Sequence, residues 1–145
     1  MIKTTAFVLA LMVPGFASAG CAVGETEFVS CTLKDGKKKL ETCRGEARAS
    51  YWFGSAAGKA DLALTVQDTQ FEYTPWSGMG ATIWEELAFR NSDVTYTVFG
   101  AIDRFYPEEE GGEVEVFVSA GIVVSQAGKE LARLECDPGS VSFNW

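Results

Sequence analysis

The side chains available for chemistry are 20 carboxylates, four cysteine thiols and the serine hydroxyls, because the 145-residue chain contains no histidine. Histidine is the general base of Ser-His-Asp and Cys-His enzymes and a ligand in most zinc hydrolases. The serine motifs SxxK and GxSxG and the phosphate-binding P-loop are absent as well. With the four thiols expected in disulfides, any catalysis would rest on carboxylates.

A glycosidase needs a pair of carboxylates, and three residues near one another in sequence could supply it: Glu85, Glu86 and Asp103. Glu85 and Glu86 are neighbours in a predicted strand, so their side chains point to opposite faces. No spacing in the sequence arranges two carboxylates for acid-base work. We therefore expect that the protein is not an enzyme and has no catalytic residue, cofactor or metal site. A carboxylate-dependent hydrolase is the alternative.

The densest charge is the acidic run Glu108-Glu109-Glu110, which is followed by two glycines and Glu113. Clustered carboxylates suit a calcium ion or a basic partner. Calcium loops place their acids at alternate positions, and three consecutive glutamates do not match that pattern. We predict that Glu108, Glu109 and Glu110 contact a basic partner, with a solvated hairpin loop as the alternative.

A second candidate loop is the segment at residues 73–81, which contains Trp76, Ser77, Gly78 and Met79. Its glycines allow close approach of another molecule, and Trp76 with Met79 would offer an apolar contact surface. It does not match the GxGxxG nucleotide loop, because the third glycine and the following helix are missing. We predict these four residues as binding contacts, with a turn capped by Trp76 as the alternative.

Residues 1–19 have the form of a secretory signal peptide: Lys3, a short apolar run and small residues that end at Ala19. The apolar run is too short to cross a bilayer, so we predict no transmembrane span. We expect cleavage after Ala19 and a periplasmic or secreted bacterial protein. A lipid anchor on Cys21 is the alternative, although Ser18 stands where lipoprotein signals carry a bulky aliphatic residue.

The charge balance excludes one class of partner. The chain has 12 basic and 20 acidic residues and a net charge of −8. Cleavage removes Lys3 and no acid, which leaves 11 basic residues and a charge of −9. Nucleic acids require a basic binding face, so we expect no nucleic-acid partner.

The cysteines are predicted to form disulfides, because an even number of thiols in an exported protein is normally oxidised. Cys21, Cys31, Cys43 and Cys136 lack the CxxC-type spacing of a zinc site. Four cysteines allow three pairings. We favour Cys31 with Cys43 across a hairpin, which leaves Cys21 with Cys136.

An alternation of two residues dominates the chain after residue 20. Val94-Thr-Tyr-Thr-Val98 alternates valine or tyrosine with threonine, and residues 113–118 alternate glutamate with valine before becoming fully apolar. Such patterns are typical of antiparallel strands with one buried face, and Asp35-Gly36 marks a hairpin turn between two of them. We predict a single all-β domain at 20–145, a small antiparallel β-barrel or sandwich of about eight short strands that is stabilised by disulfides. Candidate strands lie at about residues 25–33, 39–44, 47–53, 61–67, 70–73, 81–90, 94–105, 113–125 and 129–136.

The segment Phe28–Leu40, with the sequence FVSCTLKDGKKKL, resembles the opening hairpin of the C-type lysozyme inhibitors. Those proteins are small bacterial β-barrels that plug the active cleft of lysozyme, and they carry a Ser-Gly-x-x-Tyr loop that enters the cleft. The corresponding loop here has Ser77 and Gly78 but Ala81 in place of the tyrosine. The rest of the chain is more similar to an uncharacterised family of exported bacterial proteins.

These observations predict an exported, non-catalytic binding domain. The resemblance implies inhibition of a basic cell-wall hydrolase such as lysozyme, and an acidic domain would be drawn to such a partner by its charge. A structural envelope protein without a dedicated ligand is the further alternative. Val141, Phe143 and Trp145 alternate as outer-membrane strands do, but the charged hairpins favour an ordinary terminal edge strand there.

Overall fold

A computed structural model describes residues 20–145, and the predicted signal peptide at 1–19 lies outside the described residues. Within these residues, the regular structure consists of ten strands and one short 3-10 turn, Asp68–Gln70. The strands are β1 Thr26–Leu33, β2 Lys38–Arg44, β3 Arg48–Ser55, β4 Ala60–Gln67, β5 Phe71–Thr74, β6 Thr82–Asn91, β7 Val94–Phe105, β8 Glu115–Gln126, β9 Lys129–Glu135 and β10 Ser142–Phe143. Within residues 20–145, no helix has the length and hydropathy needed to cross a membrane.

The strands form two antiparallel sheets of five strands each. Sheet 1 has the order β10-β1-β2-β3-β4, and sheet 2 has the order β5-β6-β7-β8-β9. The all-β prediction is confirmed, with ten strands where about eight were expected. Of the two architectures that the sequence left open, the sandwich is the one formed, because the sheets are hydrogen-bonded separately and do not close into a barrel.

The core lies between the inner faces of the two sheets. Tyr51 of β3 is 3% exposed, and its ring lies 5.4 Å from that of Phe89 and 5.5 Å from that of Tyr96, both in sheet 2. Phe28 of β1 meets Tyr73 of β5 edge-on at 6.2 Å. Each fully buried side chain of this size contributes about 1.5–3 kcal/mol. Burial between the sheets therefore holds the sandwich together.

A bulge interrupts β1, where the register with β2 shifts between Glu27 and Ser30. Phe28 and Val29 are consecutive residues, and both are buried at this point. The bulge leaves the N–H and C=O of Val29 without backbone partners in the ladder with β2, and the buried Thr42 hydroxyl replaces them. It donates to the Val29 carbonyl at 2.8 Å and accepts from the Val29 N–H at 3.1 Å.

All four cysteines form disulfides, as predicted, but the favoured pairing is wrong. The bonds are Cys21–Cys43 and Cys31–Cys136. Cys31 lies opposite Leu40 in the ladder of β1 and β2, three residues along β2 from Cys43. An offset of three places the two side chains on opposite faces of the sheet, so they cannot bond. Two disulfides are typical of a protein that resides outside the cytoplasm.

The bond between Cys31 and Cys136 joins the two sheets. Cys31 belongs to β1 of sheet 1, and Cys136 directly follows β9 of sheet 2. After Cys136 the chain leaves sheet 2 and returns to sheet 1, where β10 pairs with β1. The last strand of sheet 2 therefore ends where this disulfide draws the chain towards the other sheet.

Asp137 fixes the turn between β1 and β2. Its carboxylate accepts hydrogen bonds from the Gly36 N–H at 2.7 Å, the Asp35 N–H at 3.0 Å and the Thr32 hydroxyl at 2.9 Å. The turn needs this support because Lys34, Asp35 and Gly36 all have positive φ, at 54°, 56° and 77°. The backbone hydrogen bond from Gly36, with those from Asp35 and Thr32, lowers the pKa of Asp137 below its ordinary value.

The lowered pKa of Asp137 predicts a pH dependence of stability. The ionised carboxylate is favoured by folding, so its contribution is complete above the pKa of the unfolded state and is lost as the pH falls through the folded pKa. Between about pH 5 and pH 2 we expect the wild-type protein to lose stability more steeply than Asp137→Asn. Urea midpoints measured across this range for both proteins test the expectation. Parallel curves would show that the carboxylate has no part in acid destabilisation.

Candidate binding surface

Both loops that the sequence singles out lie at one end of sheet 2. The loop at residues 75–81 precedes β6, and the loop at residues 106–114 follows β7. The start of β6 pairs with the end of β7, with Thr82 opposite Asp103. The Thr82 hydroxyl donates to the Asp103 carboxylate at 2.5 Å, and the Arg104 guanidinium reaches the Ala81 carbonyl at 3.5 Å. The structure therefore brings the two predicted binding loops together.

In the first loop, the backbone turns at glycines and directs one apolar side chain outward. Gly78 and Gly80 have φ of 82° and 94°, a conformation that other residues rarely adopt. The Trp76 indole N–H donates to the Met79 carbonyl at 3.1 Å, which holds the half-buried ring within the loop. Ser77 and Gly78 are exposed, and the Met79 side chain is 78% exposed. Met79 rather than Trp76 is thus the main apolar contact that this loop offers.

The second loop carries the acidic run. Glu108, Glu109 and Glu110 are fully on the surface, and the Glu109 carbonyl accepts from the Gly112 N–H at 3.3 Å to close the turn. None of the three carboxylates forms an ion pair with another residue in the described part of the chain. Across residues 20–145, no cluster of three potential metal ligands occurs. The negative potential of this loop is thus left uncompensated.

Exposed apolar side chains concentrate at the same end. Eleven large hydrophobic residues are exposed in the described chain, and eight of them lie here, a set that we call the apolar end of sheet 2. Its members are Met79, Trp84, Phe105, Tyr106, Val114, Val116, Phe117 and Val118. Soluble proteins rarely expose contiguous apolar patches unless the patch binds something.

The apolar end arises because β7 and β8 extend beyond the core. Buried side chains reach Ile102 in β7 and Ala120 in β8, whereas the two strands stay paired as far as Phe105 and Glu115. Beyond the core both faces of the ladder meet solvent. Apolar side chains nevertheless lie on both faces, since the run Val116-Phe117-Val118 follows Glu115 at the start of β8.

Aromatic rings cover the outer face of this extension. Phe105 and Phe117 meet edge-on at 5.4 Å and are 58% and 55% exposed. Beside them lies a shallow depression of about 330 Å³, whose lining includes Phe105, Tyr106 and the acidic residues Glu108, Glu113 and Glu115. An apolar surface bordered by carboxylates has the composition of a protein-protein contact with a cationic partner.

Sequence reasoning selected the two loops but missed the strands between them. Trp84, Phe105 and Val116–Val118 fall within candidate strands, Tyr106 follows one of them, and none of these residues is predicted as a contact. A signal was present, because three consecutive apolar residues in a strand with one wet face must expose at least one of them. The sequence does not indicate, however, where sheet 1 stops covering the inner face of sheet 2.

The three carboxylates considered for hydrolysis do not come together. Glu85 faces inward and is 6% exposed, whereas Glu86 and Asp103 lie on the outer face. Glu86 pairs with Phe99, four residues along β7 from Asp103, which separates the two backbones by roughly 13 Å. Glycosidase carboxyl groups lie about 5–10 Å apart. This arrangement does not match the geometry of that pair.

Glu85 has a polar neighbourhood of its own. One carboxylate oxygen, Oε2, is buried and has no hydrogen-bond partner. Burial, with the adjacent Glu85 carboxylate, raises the pKa of Tyr73, and the Arg44 guanidinium lies 3.7 Å from the centre of the Tyr73 ring. Glu85 lies opposite Gly100 in the ladder of β6 and β7, and the Phe143 ring packs directly over Gly100.

A separate groove of about 220 Å³ crosses the outer face of sheet 1 beside the Cys21–Cys43 bond. Trp52 lines it because the alternation of β3 turns Tyr51 inward and Trp52 outward. Its polar rim is already engaged: Ser50 donates to Glu25, Glu27 accepts from Ser142, and Glu41 pairs with Lys39. Few free donors or acceptors remain for a ligand, so the apolar end of sheet 2 is the better candidate.

Comparison with protein-family models, with curated proteins and with solved structures finds no match.

Proposed function

We propose that the protein is an exported, non-catalytic binding domain whose apolar end of sheet 2 contacts a cationic protein, specifically a basic cell-wall hydrolase such as lysozyme. The observation that carries the proposal is that, among residues 20–145, eight of the eleven exposed large hydrophobic residues lie beside both predicted loops. Aromatic side chains at the centre of an interface supply most of its binding energy. Phe105 and Phe117 hold that position here.

Charge supports the choice of partner. The chain carries a net charge of −8, and the acidic run Glu108–Glu110 borders the apolar end. Complementary potentials accelerate encounter with a basic protein and disfavour acidic ones. The resemblance to the lysozyme inhibitors adds Ser77 and Gly78, which lie in the neighbouring loop. Attraction of this kind weakens with salt, because counterions screen exposed charges beyond about 8 Å at physiological ionic strength.

The test measures muramidase activity and direct binding with the purified protein and a panel of lysozyme types. We expect inhibition at micromolar protein that weakens as salt is added. The double variant Phe105→Ser/Phe117→Ser should raise Kd by at least about thirtyfold, since the loss of even one aromatic anchor costs about 2 kcal/mol of binding. Ser77→Trp should also weaken binding, because it places a large ring in the loop.

Leu131→Ser is the matched control, because Leu131 is 53% exposed on β9 and lies outside the apolar end. It should bind as the wild type does. Full activity of every lysozyme at micromolar protein, with no binding, would refute the choice of partner. Equal binding by the control and the phenylalanine double variant would refute the assignment of the surface.

A further inference from the structure

One edge of sheet 2 is left unpaired at the apolar end. Strand β8 pairs with β7 along its whole length, from Glu115 to Gln126. Strand β9 covers the other edge of β8 only from Gly121, and the hydrogen bond from the Cys136 N–H to the Ala120 carbonyl at 2.9 Å is the last between them. The residues from Glu115 to Ser119 therefore form an open edge.

The open edge has a structural cause. Strand β9 would need to continue beyond Cys136 to cover it, but Cys136 is bonded to Cys31 in sheet 1. The next residue, Asp137, is engaged with the turn that follows β1. The chain is thus held away from β8 by a covalent bond and by a set of hydrogen bonds, and the open edge is a fixed feature of the fold.

The direction of the free backbone groups follows from the last hydrogen bond. The Ala120 carbonyl points towards β9, and in an antiparallel ladder the N–H and C=O of one residue point to the same side and alternate along the strand. The N–H and C=O groups of Val116 and Val118 therefore point outward along the open edge. Those of Phe117 and Ser119 are used in the ladder with β7.

After Glu115, the open edge lacks the usual protection against another strand. Exposed edges normally carry lysine, proline or a bulge, or are very short. Strand β9 follows this rule, with Lys129, Glu130, Arg133 and Glu135 along its length. The open edge instead presents Val116, Phe117 and Val118, exposed by 55%, 55% and 42%.

We propose that the open edge binds an extended segment of a cationic protein, which adds to sheet 2 as a further strand. Backbone groups of the incoming strand pair with those of Val116 and Val118, and its alternate side chains pack on Phe117 on one face and on the two valines on the other. Lysine or arginine in the segment meets Glu113, Glu115 and the acidic run. This inference rests on the proposed function and names the way in which that surface takes its partner.

Charge argues against a second copy of this chain as the occupant. Every copy carries a net charge of −8 or below, and the open edge begins beside unpaired glutamates. Two such edges would bring like charges together, which is unfavourable. A cationic strand removes that repulsion, and it is the occupant to which the proposal commits.

The experiment uses a synthetic peptide of about nine residues that alternates valine and lysine. Two further probes are the same peptide N-methylated at every residue, which removes its donors on both edges, and the peptide with glutamate in place of lysine. We expect the first peptide to bind, to protect the amide protons of Val116 and Val118 from hydrogen exchange, and to lose roughly tenfold in affinity or more on either change.

The decisive variant is Val118→Pro. It removes one outward donor from the open edge and no hydrogen bond of the native ladder, and proline is tolerated on strand edges of this kind. It should weaken peptide binding by roughly tenfold or more. The matched control is Glu135→Pro, because the N–H of Glu135 points outward from β9 by the same alternation and lies outside the open edge. Circular dichroism and urea midpoints establish that both variants are folded.

The outcomes separate this inference from the proposed function. Lysozyme binding that depends on Phe105 and Phe117 but is unchanged by Val118→Pro would overturn strand addition and leave the proposed function standing. Peptide binding that is lost in Val118→Pro, with no binding of any lysozyme, would support strand addition and overturn the choice of partner. Equal binding of the glutamate peptide, or a dimer in sedimentation that Val118→Pro dissociates, would overturn the cationic occupant.

Discussion

Replacement of Cys31 and Cys136 with alanine is expected to lower the free energy of unfolding by about 5 kcal/mol. The two residues are separated by 105 positions, and the entropy of the unfolded chain that a disulfide removes grows with the length of the loop it closes. This bond also holds the two sheets together. Because a typical domain is stable by about 5–15 kcal/mol, the loss would leave the variant close to unfolding.

The Cys21–Cys43 bond provides the matched comparison. It closes a separation of 22 residues, for which the same relation gives about 3 kcal/mol. Urea unfolding of the two double-alanine variants, followed by tryptophan fluorescence, gives both values under one set of conditions. A smaller loss for the Cys31 and Cys136 variant than for the Cys21 and Cys43 variant would contradict the loop-length argument.

The second large effect is expected at Thr42, where Thr42→Val should cost about 3 kcal/mol. Valine has the shape of threonine but lacks the hydroxyl, so the buried N–H and C=O of Val29 would each lose a partner. An unsatisfied buried polar group costs about 1–3 kcal/mol. The loss of hydrogen bonds is confined to the bulge of β1, because the hydroxyl of the fully buried Thr42 makes no other hydrogen bond within residues 20–145.

Thr42→Ser is the control for this prediction. Serine keeps the hydroxyl and removes one buried methyl group, which costs about 1 kcal/mol. The free energies of unfolding of both variants are measured in urea. If Thr42→Ser is less stable than Thr42→Val, packing of the methyl group rather than the two hydrogen bonds supports the bulge.

The strands were the part of the fold that the sequence predicted well. Alternation of two residues is a local property, and turn residues such as Asp35-Gly36 mark the ends of the segments. All nine candidate strands are present, with bounds close to those observed. Strand β10 has only two residues, Ser142 and Phe143, and so has almost no periodicity of its own; only the terminal alternation around Phe143 pointed to an edge strand.

The long-range features could not be predicted in the same way. The pairing of Cys31 with Cys136 depends on which sheet each strand joins, and local spacing carries no information about that. The meeting of the loop containing Ser77 with the loop containing Glu108–Glu110 depends on the register that places Thr82 opposite Asp103. The apolar end depends on where sheet 1 stops covering sheet 2, which is a property of the assembled sandwich.

Strand β1 also sets a constraint on the order of folding. Its partners on one side come from β10, since Val29 pairs with Phe143 and Ser30 with Ser142, and the Ser142 hydroxyl bonds Glu27 across 115 positions. Chains grow from the amino end at about 5–20 residues per second, so β1 is made several seconds before the segment that completes it. Contacts this distant in sequence form slowly. During that interval β1 is itself an unprotected edge of the β1–β4 meander, and an edge of this kind can pair with another chain.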